Sequence, residues 1–121
     1  MKVNEIAAIT AAEIVCGKEN GELNIDSAFG SDMMSDVLAF VNDQAVLLTG
    51  LVNAQVVRTA EMMDMPCILF VRGKKPTEEM IELANERGIV LMATALRMYE
   101  ACGKLYAAGL PARRDAGEAN A

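Results

Sequence analysis

Three short, mostly apolar segments recur from residue 45 onward, and each is followed by a segment with the apolar spacing of an amphipathic helix. The apolar segments are 45–49, 67–71 and 89–93. A repeated strand and helix is typical of a parallel β-sheet whose faces are covered by helices. We therefore predict a single α/β domain, with a mostly parallel sheet of about four or five strands and flanking helices.

The composition supports one core. The chain has 121 residues, of which 53% are hydrophobic and only 4% aromatic, so the core is expected to be aliphatic and to use many of the nine methionines. We predict that the α/β domain spans residues 1–110. Residues 111–121 are poor in apolar side chains and are predicted to form a flexible C-terminal tail.

Charge and cysteine usage exclude several classes of function. A net charge of −6 disfavours contact with nucleic-acid phosphates. No apolar run approaches the roughly 18 residues of a membrane span, and the first residues do not resemble a signal peptide. The three cysteines form no CxxC pair, so we expect no disulfide framework and predict a cytoplasmic location.

The sequence offers no catalytic machinery. It contains no histidine and no GxxxxGK[ST] loop, and no base is evident beside a nucleophile. Cys102 has one nearby lysine, which favours a packing role over a reactive thiol. We predict that the chain is not an enzyme, transfers no phosphoryl group and uses no cofactor.

The carboxyl ends of the predicted parallel strands carry residues suited to a small anion. Gly50 lets a ligand approach the backbone, Asn53 begins a helix whose N–H groups favour anions, and Arg72 and Lys74 suit a phosphate or carboxylate. Ordinary turns with solvated charges are the alternative reading. The candidate ligand-binding residues are Thr49, Gly50, Asn53, Arg72, Gly73, Lys74 and Thr94.

Two aspartates lie one helical turn apart. Asp32 and Asp36 would share a helix face, which suits a hard metal ion or acid–base chemistry. Two carboxylates without a third ligand make a poor metal site, and we predict none. Ser31 or Asp32 is instead predicted to cap a helix that extends to Val41.

Several methionines are candidates for an exposed docking surface. Small α/β domains often complete their burial by dimerising, so we predict a homodimer. The alternative for these side chains is core packing. The candidate interface residues are Met33, Met34, Met62 and Met65.

Three segments together resemble DRTGG domains. The segment 30–39 (GSDMMSDVLA) resembles that family's Asp-Leu-Leu-Ser-Asp-Val-Met-Ala segment. The segment 67–76 (CILFVRGKKP), preceded by a helix with Arg58, resembles the family's strand and Thr-Gly-Gly-x-x-Pro loop. The segment 89–94 and the helix after it resemble the closing strand–helix unit. The family's Thr-Gly-Gly stands here as Val-Arg-Gly, so the role of that threonine does not carry over.

The resemblance implies a fold similar to the N-terminal domain of bacterial HPr kinase/phosphorylase and a regulatory role without catalysis. DRTGG domains sit beside CBS or phosphotransacetylase-like domains, and stand-alone copies occur near iron-hydrogenase genes. We therefore predict a non-catalytic regulatory or accessory domain, linked to an iron-hydrogenase system, that acts through protein contacts and self-association. The alternative is a sensor that binds a nucleotide or other anion at the strand ends.

Overall fold

The computed structural model describes residues 1–113, which form one sheet of five strands flanked by helices. The strands are β1 (Glu13–Cys16), β2 (Ser27–Gly30), β3 (Ala45–Thr49), β4 (Cys67–Phe70) and β5 (Val90–Ala93). The helices are α1 (Val3–Thr10), α2 (Met34–Ala39), α3 (Ala54–Met62), α4 (Glu78–Arg87) and α5 (Met98–Ala107), and a short 3₁₀ turn covers Lys18–Asn20.

The sheet is mostly parallel, as the alternation of strands and helices predicts. Its order is β1-β5-β4-β3-β2, and the three pairs among β2, β3, β4 and β5 are parallel. Only β1 runs antiparallel, beside β5. Every residue of β3, β4 and β5 is buried, because helices cover both faces of these central strands. The predicted α/β fold is confirmed.

The helices divide between the two faces of the sheet. Helices α2, α3 and α4 pack on one face, where Val37, Val57 and Met80 join the core. Helices α1 and α5 cover the other face through Ile6 and Leu105. The crossover helices that connect the parallel strands therefore all lie on the same face.

The ends of two helices follow their sequence signals. Asn53 Oδ1 accepts a hydrogen bond from the Val56 amide at 3.3 Å, and Thr77 Oγ1 accepts one from the Met80 amide at 3.3 Å. Both caps satisfy amides that have no partner inside the helix. The helix start predicted at Asn53 is confirmed.

The predicted cap and length of α2 are wrong. The helix begins at Met34, after Met33 in an extended conformation, and ends at Ala39. Ser31 Oγ accepts from the Met33 amide at 3.0 Å, which forms a local turn, and the Asp32 carboxylate is directed away from the helix towards β3. The segment 40–41 lies outside the helix because Phe40 is extended.

The last described residues lie along edge strand β2. The Ala28 amide donates to the Pro111 carbonyl at 3.1 Å, Ala112 pairs with Ala28, and Arg113 forms an ion pair with Asp43 at 2.9 Å. The first three residues of the predicted tail thus contact the domain, and the rest of that tail lies outside the described residues. Within residues 1–113, no helix has both the length and the apolar character needed to cross a membrane.

Candidate functional site

The carboxyl ends of β2, β3, β4 and β5 meet at one edge of the sheet because these strands are parallel. Asp32 follows β2, Gly50 follows β3, Arg72 follows β4 and Thr94 follows β5. Open α/β sheets bind their ligands at this edge. The fold therefore brings together residues that are distant in the sequence.

Asp32 joins two of these strand ends. Its Oδ1 accepts hydrogen bonds from the Gly50 amide at 2.7 Å and from Thr49 Oγ1 at 3.1 Å. Its Oδ2 lies 3.7 Å from a guanidinium nitrogen of Arg72, and both side chains are about half exposed. Sequence reasoning missed this role of Asp32, since the partners come from β3 and β4.

Arg72 is held in an unusual backbone conformation. Its φ is +62°, a region that non-glycine residues rarely adopt. The Arg72 amide donates to the Leu96 carbonyl at 2.7 Å, and the Gly73 amide donates to the Thr94 carbonyl at 3.0 Å. These bonds hold the loop in place, and the guanidinium lies across Gly50. A Cβ atom at position 50 would overlap the guanidinium.

Three cations border an open depression beside this loop. Arg72, Lys74 and Arg97, together with Ala95, line a cavity of about 650 Å³, which we call the cationic depression. Among residues 1–113, neither Lys74 nor Arg97 has a carboxylate within ion-pairing distance. The depression is thus positively charged in a chain whose net charge is −6. Arg97 was not among the predicted site residues; its only sequence signal is its place between the end of β5 and the start of α5.

The other predicted ligand residues are engaged within the protein. Thr94 Oγ1 donates to the Thr10 carbonyl at 2.6 Å and accepts from the Leu96 amide at 3.2 Å. Thr49 is bonded to Asp32, and Asn53 caps α3. The side chains of Thr49, Asn53 and Thr94 do not line the depression, whereas those of Arg72 and Lys74 do.

The cysteines provide no reactive thiolate. Burial raises the pKa of the Cys67 thiol well above its ordinary value, and burial also raises the pKa of Cys16 and Cys102. The Cys16 thiol donates to Asn85 Oδ1 at 3.0 Å. Protonated thiols are poor nucleophiles. Within residues 1–113, no three side chains of His, Cys, Asp or Glu come together in a way that would hold a metal ion.

The methionines predicted to form an interface fall into three environments. Met33 and Met62 are 61% and 66% exposed, whereas Met34 is partly buried against the core. Met65 is fully buried, and its placement at an interface is wrong. Asp64 adopts a left-handed φ of +56° after α3, and this reversal turns Met65 into the core.

The fold and this edge of the sheet define a small α/β domain with a cationic strand-end site. Residues 5–108 match the DRTGG domain, and the chain belongs to the DRTGG domain family. The resemblance seen in the sequence is thereby confirmed. A comparison with curated proteins gave no significant match.

A solved structure has a similar fold. It is the CBS and DRTGG domains of the regulatory region of Clostridium perfringens pyrophosphatase, complexed with its activator, diadenosine tetraphosphate. The match has a TM-score of 0.68 and 17% sequence identity, and it covers 86% of this chain but 45% of the other. The present chain thus corresponds to less than half of that regulatory region.

Proposed function

We propose that this chain is a non-catalytic regulatory domain that senses a nucleotide or another phosphate-rich anion at the cationic depression. The observation that carries the proposal is the convergence of Arg72, Lys74 and Arg97 on one open cavity at the strand ends. Arginine binds phosphate oxygens through two parallel N–H groups, and lysine supplies a mobile point charge. This class of ligand was the alternative in the sequence analysis, and the geometry now favours it.

A ligand that binds Arg72 would alter the ion pair between Arg72 and Asp32. At 3.7 Å the ion pair is loose, and both partners are half exposed, so it contributes little to stability. A phosphate competes with the carboxylate for the same guanidinium. Asp32 also holds the Gly50 amide and precedes α2, so binding at Arg72 would act directly on the connection between β2 and β3.

The similar solved structure supports this class of ligand. The regulatory region of the Clostridium perfringens pyrophosphatase is complexed with an activator that carries four phosphates, diadenosine tetraphosphate. Its DRTGG-containing region belongs to a larger regulated protein. A regulatory role for the present chain is the corresponding proposal, and its three free cysteines support a reducing, cytoplasmic location.

Calorimetry tests the proposal. Wild-type protein is titrated with diadenosine tetraphosphate, ATP and inorganic triphosphate, and so is the variant Arg72→Ala/Lys74→Ala. Loss of a charge-assisted contact costs about 1.5–3 kcal/mol, so we expect at least a tenfold weaker affinity and a binding that weakens with added salt.

The matched control removes the same charge at two residues that do not line the depression. Lys18→Ala/Arg58→Ala also replaces two exposed cations that have no ion pair among residues 1–113. The proposal predicts unchanged affinity for this variant. Equal affinities for both double variants, or no binding by any of the three anions at millimolar concentration, would overturn it.

Protein contact, including self-association, is a second candidate function, favoured by the exposed side chains of Tyr99 and Tyr106 on α5. The link to an iron-hydrogenase system, implied by the family resemblance, stays a prediction. Deleting the coding gene and measuring hydrogenase activity in the cell tests it. Unchanged activity under hydrogen-evolving conditions would contradict that link.

A further inference from the structure

An apolar groove lies between α5 and edge strand β2, on the face opposite the crossover helices. Its volume is about 650 Å³, and its lining includes Gly30, Met98, Tyr99, Cys102, Tyr106 and Leu110. On this face α5 packs against β2 and β3, and Pro111 and Ala112 complete the lining of the groove. The groove is thus a stretch of apolar surface beside an edge of the sheet.

The exposed rim of this groove is aromatic. The chain has two tyrosines, and Tyr99 and Tyr106 are 80% and 71% exposed on α5. They lie on the same helix face, about 10 Å apart along the axis at a rise of 1.5 Å per residue. Gly103 lies between them with open space around its Cβ position. Tyrosine is enriched at protein interfaces, where its ring is covered and its hydroxyl reaches water.

The charged flank of the same helix is self-complementary. Glu100 and Lys104 are exposed, and neither forms an ion pair among residues 1–113. When two copies of α5 lie antiparallel about a two-fold axis level with Cys102, Glu100 faces Lys104 of the partner subunit. The symmetry repeats this contact, so two opposite-charge pairs flank one interface.

We propose that α5 pairs antiparallel with α5 of a second copy of this chain, and that the apolar groove receives the tyrosines of that copy. Gly103 lets the two helices approach closely, and Tyr99 of each copy lies near Tyr106 of the partner subunit. This inference concerns assembly and does not depend on the anion site. It places self-association on α5, whereas the sequence pointed to the methionines.

Sedimentation of the full chain between about 1 and 100 μM tests the pairing, because dimers of standard interface size form in this range or below. We expect a dimer for the wild type and at least a tenfold weaker dimer for Tyr99→Ala/Tyr106→Ala, since aromatic anchors dominate such interfaces. The control variant, Met33→Ala/Met62→Ala, removes two other largely exposed apolar side chains and should leave the dimer intact. A monomeric wild type, or equal weakening by both variants, would overturn the proposal.

Charge exchange tests the antiparallel arrangement separately. Glu100→Lys and Lys104→Glu should each weaken self-association about tenfold, because each brings like charges together twice. The double variant Glu100→Lys/Lys104→Glu should regain the dimer, and a mixture of the two single variants should form a heterodimer. Thermal unfolding confirms that each variant is folded. Failure of both the double variant and the mixture to associate would refute this arrangement.

Discussion

The guanidinium of Arg72 lies directly over Gly50, in the space that a side chain at position 50 would occupy. The two residues follow neighbouring parallel strands, and the Gly50 amide is also bonded to Asp32, the ion-pair partner of Arg72. Because Gly50 carries no side chain, it leaves the space that the Arg72 guanidinium occupies beside the cationic depression.

Gly50→Ala should displace Arg72 and leave the fold intact. The methyl group meets the far end of a flexible side chain, so we expect a change of under about 1 kcal/mol in the free energy of unfolding. The affinity for inorganic triphosphate should fall about tenfold, as for Arg72→Ala. Calorimetry and thermal unfolding measure the two effects.

A double-mutant cycle provides the control for this prediction. If Gly50→Ala acts through Arg72, adding Arg72→Ala to it should cause no further loss of affinity. Full affinity of Gly50→Ala, or additive losses in the double variant, would show that the position of the guanidinium does not depend on Gly50.

Asp32→Asn should strengthen anion binding. The carboxylate repels an anion bound at Arg72, and two like charges about 5 Å apart in water repel by roughly 0.8 kcal/mol. We expect about a fourfold tighter affinity for triphosphate by calorimetry. Asp36→Asn removes the same charge from the first turn of α2 and serves as the control. A gain of equal size in both variants would point to net charge as the cause.

Thr94→Val should destabilise the domain without changing the anion site. The buried hydroxyl bonds the Thr10 carbonyl and the Leu96 amide, and valine would leave both groups without this partner. An unsatisfied buried group costs about 1–3 kcal/mol, which urea unfolding detects. Triphosphate affinity below the melting temperature should be that of the wild type. A stable variant with weak binding would instead make Thr94 a ligand residue.

Alkaline pH should destabilise the domain through Cys67. Burial raises the pKa of this thiol in the folded state, so the unfolded chain releases its proton at lower pH than the folded chain. The free energy of unfolding is unaffected by this thiol below its ordinary pKa of about 8.5, where both states hold the proton. Above that pH the free energy of unfolding falls, by up to about 1.4 kcal/mol per pH unit for one group.

The variant Cys67→Ala isolates this effect. It should be less stable near pH 7 because it leaves a small cavity. Its unfolding free energy should then fall less steeply than that of the wild type between pH 9 and pH 11, as measured by urea unfolding. Parallel curves for the two proteins would show that Cys67 does not cause the alkaline loss.

The central strands were predictable because a strand buried on both faces is a continuous apolar run, as in Ala45–Thr49. The role of Asp32 could not be predicted in this way. The spacing of nearby residues indicates only a helix start at Asp32, whereas its partners Gly50 and Arg72 are brought close by the register of the sheet. Met65 was grouped with Met62 as a candidate interface residue, but the left-handed Asp64 between them turns Met65 into the core. Contacts between distant residues and single left-handed backbone residues cannot be predicted from the spacing of apolar and polar residues.

The antiparallel pairing of β1 with β5 also governs how the chain folds. Strands β2 to β5 come together through successive neighbours in the sequence, but β1 must wait for β5, which lies near the other end of the described chain. Until β1 docks beside it, β5 is an unpaired edge strand made wholly of apolar residues, Val90–Ala93. Such an edge can pair with strands of other chains. The aggregation hazard during synthesis and refolding is therefore set by how quickly residues 13–16 dock.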